Sequence, residues 1–222
     1  VQSLAKKRKN CHVTKYVMNS KAVSTKVSRY MNKWSKYFSL YDRHFAKFVD
    51  KQVNVWEIGV CGGGSLQMWK KFFGPRATIV GIDIEPKFYF EEDQIHVHIG
   101  SQSDTEFLSS LVEKYGPPDV LIDDGSHMQI DLHATFKFLY PLMNKKSVYF
   151  IEDTHTSYWK DFGGGLLRDG TIVESSKRFV DDLNAKHFGV TTEFSLNTKG
   201  IHFYDSVIVF EKEYDREGLL QL

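Results

Sequence analysis

The chain has 222 residues, 41% of them hydrophobic and 26% charged, with two cysteines and a net charge of +1. That is enough apolar material for one large core, and it argues against general disorder. No window approaches the ~18 uninterrupted apolar residues of a membrane-spanning helix, and Cys11 and Cys61 cannot build a disulfide framework or a closed cysteine zinc site.

In chain order, residues 1–28 read as a basic leader and residues 29–222 as one domain. Residues 1–50 hold twelve Lys and Arg against Asp42 and Asp50, a net +10 that leaves −9 on the remainder. Such a leader could attract nucleic acid, an anionic glycan or a membrane surface, although a solvated helix face has the same composition. No nucleic-acid motif accompanies the Lys6–Lys9 cluster, so nucleic acid is not the expected partner. Val1 to Asn10 are polar and basic, unlike a signal peptide, and the sparse cysteines fit a reducing, cytoplasmic setting. Val1 in place of Met leaves room for a longer protein.

Residues 29–50 read as an N-terminal helical region. From Tyr30 to Val49 an amphipathic pattern places Met31, Trp34, Phe38, Tyr41, Phe45 and Phe48 on one face. The stripe is read as packing, and it could also serve a homo-oligomer. Val53 to Val60 then reads as a buried strand ending in glycines, and Ser65 to Phe73 as a helix stopped by Gly74 and Pro75. Strands are expected at Ala77–Ile84, Ile95–Gly100, Asp119–Ile122 and Ser147–Ile151. Helices are expected at Asp104–Tyr115, His127–Tyr140 and Lys177–His187. Thr191–Leu196 and Ile201–Glu211 look like two strands around a turn at Asn197 to Gly200. The alternation implies an α/β fold: a doubly wound, mostly parallel, seven-stranded Rossmann-like sheet whose closing strand is antiparallel.

Chemistry collects at the strand ends, where ligands bind in open α/β sheets. Glu57 precedes the glycine turn Gly59, Gly62, Gly63 and Gly64, and Asp83 ends the next strand 19 residues after Gly64. A carboxylate beside the turn would repel a dinucleotide pyrophosphate but suits a ligand with an amino group and a sulfonium. Asp83 stands where a carboxylate grips both ribose hydroxyls. The pair favours S-adenosyl-L-methionine over NAD.

The run Asn32–Phe45 (NKWSKYFSLYDRHF), with Trp56–Val60, Gly64–Lys70 and Val80–Ile84, resembles bacterial class I methyltransferases of glycan and glycosylated natural-product pathways. Those include metal-dependent macrolide-sugar O-methyltransferases, and the likeness covers roughly residues 30–212. It implies that Glu57, Gly59, Gly62 and Asp83 contact the donor, that Ser101 and Gln102 lie by the adenine, and that Asp123 lies near the donor pocket.

Two further strands end in paired acids, Asp123-Asp124 and Glu152-Asp153. Four carboxylates on one sheet edge repel unless something positive sits among them, and an all-oxygen set suits Mg2+ first, then Mn2+ or Ca2+. Acids past strand ends also serve as helix N-caps, but two pairs on neighbouring strands are harder to explain that way. The resemblance assigns Asp124, Glu152 and Asp153 as metal ligands. His127, three residues past Asp124, is the expected general base for a sugar hydroxyl. His155, Tyr158 and Trp159 follow the second pair as candidate substrate contacts, and the loop at Phe162–Gly165 could act as a lid. The other histidines, His12, His44 and His202 among them, read as packing or surface.

These residues and the resemblance together imply methyl transfer from S-adenosylmethionine to a hydroxyl of a sugar, carried by a bacterial surface polysaccharide or a glycosylated small molecule. Two alternatives stay open: a non-catalytic glycan- or nucleic-acid-binding module of the same fold, and a metal-dependent hydroxylase. The usual non-haem iron triad needs two histidines and one carboxylate, which the strand-end acids do not match.

Overall fold

A computed structural model of the protein describes residues 19–213; the Lys6–Lys9 cluster, Cys11 and His12 lie outside them. Seven strands form one sheet: β1 (Val53–Ile58), β2 (Ala77–Asp83), β3 (Ile95–Ile99), β4 (Val120–Asp123), β5 (Val148–Ile151), β6 (Thr198–Tyr204) and β7 (Val207–Lys212). Their order is β3-β2-β1-β4-β5-β7-β6, parallel from β3 to β5, with β7 antiparallel to both neighbours. Strand order reverses between β1 and β4, which opens a crevice at their carboxyl ends.

The strand sequences alternate between two cores, because successive side chains point to opposite faces. Val53, Val55, Ile122, Val148 and Phe150 face one core, together with α2 (Phe38–Phe45) and α3 (Gly64–Phe73). Trp56, Ile58, Leu121, Tyr149 and Ile151 face the other, covered by α4 (Thr105–Tyr115), α5 (Gln129–Leu142) and α6 (Ile172–Leu183). Glu57, Asp124 and Glu152 continue the first parity, whereas Asp123 continues the second. That parity decides which acids meet.

Several boundaries differ from the expectation. The stretch Tyr30–Trp34 is not helical: a 3₁₀ turn begins at Ser35 and α2 at Phe38. The segment must instead cross the glycine turn, where the Gly64 N–H donates to the Tyr30 carbonyl at 2.9 Å, and Trp34 is exposed. The described part of the leader, residues 19–28, packs on the domain. Helix α1 (Ser20–Ser24) buries Val23 in the first core, and the Ser20 hydroxyl donates to the Phe38 carbonyl.

The α6 helix starts early, capped by the Thr171 hydroxyl on the Glu174 N–H, and ends at Leu183, with Asn184 as its C-cap. Thr191–Leu196 is not a strand. Thr192 and Ser195 form a capping box that starts helix α7 (Glu193–Asn197), and the hairpin turns at Asp205 and Ser206 rather than at Asn197–Gly200. No helix among the described residues is long and apolar enough to cross a membrane.

Candidate active site at the carboxyl edge of the sheet

Gly59 makes the crevice possible. Its φ is +90°, and a Cβ there would overlap the Asp124 carbonyl, so only glycine lets the ends of β1 and β4 approach this closely. Above it lies a cavity of about 380 Å³ lined by Gly59, Cys61, Asp83, Ser101, Gln102, Asp124 and Ser126, among others. Asp83 Oδ2 accepts the Val60 N–H at 2.9 Å and its Oδ1 accepts the Glu85 N–H at 2.9 Å, which fixes the carboxylate at the cavity wall. Gln102 is clamped: its Nε2 donates to Asp123 Oδ1 and Thr135 Oγ1, and its Oε1 accepts the Ser126 N–H at 2.8 Å.

Three residues expected at the donor do not line this cavity. Gly62 backs onto Tyr30, and a Cβ would strike that side chain. Asp123 points to the opposite core, where it accepts the Tyr149 hydroxyl at 2.6 Å; burial pushes its pKa up to about 6 although Tyr149 and Gln102 donate to it. Glu57 is wholly buried beneath the glycine turn, taking the Ser65 hydroxyl at 2.6 Å.

One acid of each pair, Asp124 and Asp153, converges with His127, and Asp123 does not. Asp124, His127 and Asp153 bring ligand atoms within 4.8 Å of one another, and His127 Nε2 lies 3.7 Å from both Asp124 Oδ1 and Asp153 Oδ2. His127 is not in the first turn of α5, which begins at Gln129; it stands before the helix with φ +58°. Asp153, at φ +51°, swings back after the strand end and accepts the Tyr37 hydroxyl at 2.6 Å. Glu152 is deeper: its Oε1 accepts from the Tyr41 hydroxyl at 2.8 Å. The two carboxylates suit a hard divalent cation, whereas an imidazole ligand would favour a softer one.

The positive charge the acids require is already present. Lys33 Nζ lies 2.8 Å from Asp124 Oδ2, 3.1 Å from Glu152 Oε1 and 3.0 Å from Glu57 Oε1. The Glu57 contact is an ion pair without hydrogen-bond geometry, so that buried oxygen has charge compensation but no hydrogen bond. Burial alone would strip the ammonium of its proton, yet the three carboxylates hold its pKa well above the ordinary value. Burial pushes Glu57 and Glu152 up, and Lys33 draws both back toward the ionised form.

Sequence reasoning passed over Lys33, Tyr37 and Tyr41: Lys33 counts in the basic charge of residues 1–50, Tyr41 belongs to the aromatic stripe read as packing, and Tyr37 stands between the stripe positions.

His155 Nδ1 contacts Ser206 Oγ at 3.1 Å, and its ring meets the half-exposed Trp159 edge-on at 4.7 Å; Tyr158 is exposed beside them. The Phe162–Gly165 loop is pinned, with the Gly163, Gly164 and Gly165 N–H groups donating to Lys160, Trp159 and Ser157 carbonyls. His44 and His202, expected to be unrelated, come together with Glu211. Both His44 nitrogens are taken there, by Glu211 at 2.8 Å and by the Tyr204 hydroxyl at 2.9 Å, so the group ties α2 to the hairpin.

No family model matches the chain. It is 38% identical over 193 residues to mycinamicin VI 2''-O-methyltransferase of Micromonospora griseorubida, covering 80% of this chain and 48% of that protein. It is 37% identical over 210 residues to demethylmacrocin O-methyltransferase of Streptomyces fradiae, covering 86% and 53%. The fold matches the MycE methyltransferase of the mycinamycin biosynthetic pathway, solved in complex with Mg, SAH and mycinamycin VI. The TM-score is 0.82 at 34% identity, covering 91% of this chain and 55% of that one. The chain thus spans about half the length of the relatives it matches.

Proposed function

The chain is a homologue of the macrolide- and sugar O-methyltransferases and shares their class I, Rossmann-like fold, and from that premise we propose that it methylates a sugar hydroxyl. The donor would be S-adenosylmethionine, with Mg2+ or Mn2+ bound beside it. The observation that carries this reading is the double membership of Asp124, which lines the cavity and belongs to the cation-sized group with His127 and Asp153. Donor and cation would therefore share one lip of the sheet.

Asp83, Gly59, Ser101 and Gln102 would line the nucleoside end of the donor, and the Asp83 carboxylate keeps lone pairs for ribose hydroxyls beyond its backbone contacts. Asp124 and Asp153 would hold the cation, with Glu152 as the deeper acid of the set. When bound, a divalent cation supplies acidification of a hydroxyl and a fixed place for neighbouring oxygens. His127, whose Nε2 lies 3.7 Å from both carboxylates, would take the hydroxyl proton as the oxygen–methyl bond forms and the sulfur–methyl bond breaks. His155, Tyr158 and Trp159 flank Asp153 on the acceptor side, where an aromatic face suits a sugar ring. The names of the relatives favour a glycosylated small molecule over a polysaccharide.

The test is incubation of the protein with S-adenosylmethionine and a glycosylated macrolide such as mycinamicin VI, with and without EDTA. An acceptor heavier by one CH2 is expected, lost with EDTA and restored by Mg2+. Undiminished transfer in excess EDTA would remove the cation from the reading. Absence of donor binding would remove the reading itself.

A further inference from the structure

The arrangement of oxygens around His127 has a source outside the strands. Asp124 turns Oδ2 to Lys33 and Oδ1 toward His127; Asp153 turns Oδ1 to Tyr37 and Oδ2 toward His127. Each carboxylate thus has one oxygen occupied by the segment Lys33–Tyr41 and the other left for the cation group. Lys33 is the hub. Its side chain is 2% exposed, and it touches the terminal acids of three adjacent strands: Glu57 of β1, Asp124 after β4 and Glu152 after β5. A desolvated ammonium persists only where charged partners compensate it. Glu57 in turn holds Ser65, in the first turn of α3 behind the glycine turn.

We propose that Lys33 is a positioning residue for both ligands of the site, setting Asp124 toward the divalent cation and Glu57 beneath the donor's glycine turn. This rests on the site described under the proposed function. Without the ammonium, the buried Glu57 and Glu152 and the partly exposed Asp124 repel one another and must splay or take up protons, so both binding places lose their geometry together. Arginine keeps the charge but presents a planar fork, which cannot meet three acids from three directions equally well.

The test is calorimetric titration of the parent protein, Lys33→Met and Lys33→Arg with S-adenosylhomocysteine and, separately, with Mn2+, alongside thermal melts. Lys33→Met is expected to weaken both affinities at least tenfold while melting cooperatively, and Lys33→Arg to fall between it and the parent. A folded Lys33→Met with either affinity within threefold of the parent overturns the proposal.

If Lys33→Met does not fold, the parent protein decides. The 15N signal of the Lys33 ammonium, assigned through its backbone, should shift on adding Mg2+ alone and on adding S-adenosylhomocysteine alone; a signal moved by only one, or by neither, overturns it. A parent protein that binds neither ligand sinks the proposed function and this inference with it. One that binds both while Lys33→Met is unaltered sinks only the inference.

Discussion

His127 is held in an unusual state for an imidazole. Its Nε2 stands between two carboxylates, while its Nδ1 is buried with no hydrogen-bond partner. Its left-handed backbone, sparsely populated for residues other than glycine, puts the ring at the strand edge instead of on the helix. Backbone outliers of this kind gather at functional sites. His127→Gln is expected to lower kcat by about 10²–10⁴, the usual worth of a positioned base, with S-adenosylhomocysteine affinity kept. Single-turnover rates and calorimetry on the same preparation check this. A loss of affinity as large as the loss of rate would place His127 in the donor cavity instead.

The strand ends carry the site because elements approach one another there without intervening side chains. The β1–β4 junction depends on Gly59, where a side chain would meet both a left-handed φ and the Asp124 carbonyl. Gly59→Ala is expected to destabilise the fold by roughly 2–4 kcal/mol, combining backbone strain with a steric clash, as measured by urea denaturation. A change under ~0.5 kcal/mol would mean the two strand ends can part freely. Opposite this junction, the Tyr30–Trp34 segment gives up helix to run extended across the glycine turn. That choice delivers Lys33 to the acids, and α2 then packs Tyr41 and Phe45 against Trp69 and Phe150.

The His44–Glu211–Tyr204 group fastens the N-terminal layer to the closing hairpin. The His44 hydrogen bond, helped by the Lys47 ammonium and opposed by partial burial, holds Glu211 down at about 2 against an ordinary 4.5. A depressed carboxyl stabilises the fold fully above its unfolded value and loses that contribution as pH falls from about 4.5 toward 2. After discounting for solvent screening, the loss is on the order of 1–2 kcal/mol. Glu211→Gln should therefore flatten the acid limb of stability relative to the parent in urea melts between pH 5 and 2. Parallel acid limbs in the two proteins would remove Glu211 as a contributor.

The alternation of strands and helices, the glycine turn and the acids at strand ends were legible in the chain because each is local. Hydrophobic period, turn residues and caps act over a few neighbours. The same period-two logic separates Asp123 from Asp124, since neighbouring strand residues face opposite cores. The terminal hairpin was misplaced because a capping box at Thr192 competes with a strand pattern of similar composition. Lys33 was beyond local reading: it bonds acids 91 and 119 residues away. Nothing near it in the chain marks it as buried, and a lysine's charge is worth burying only once folding has gathered the carboxylates that need it.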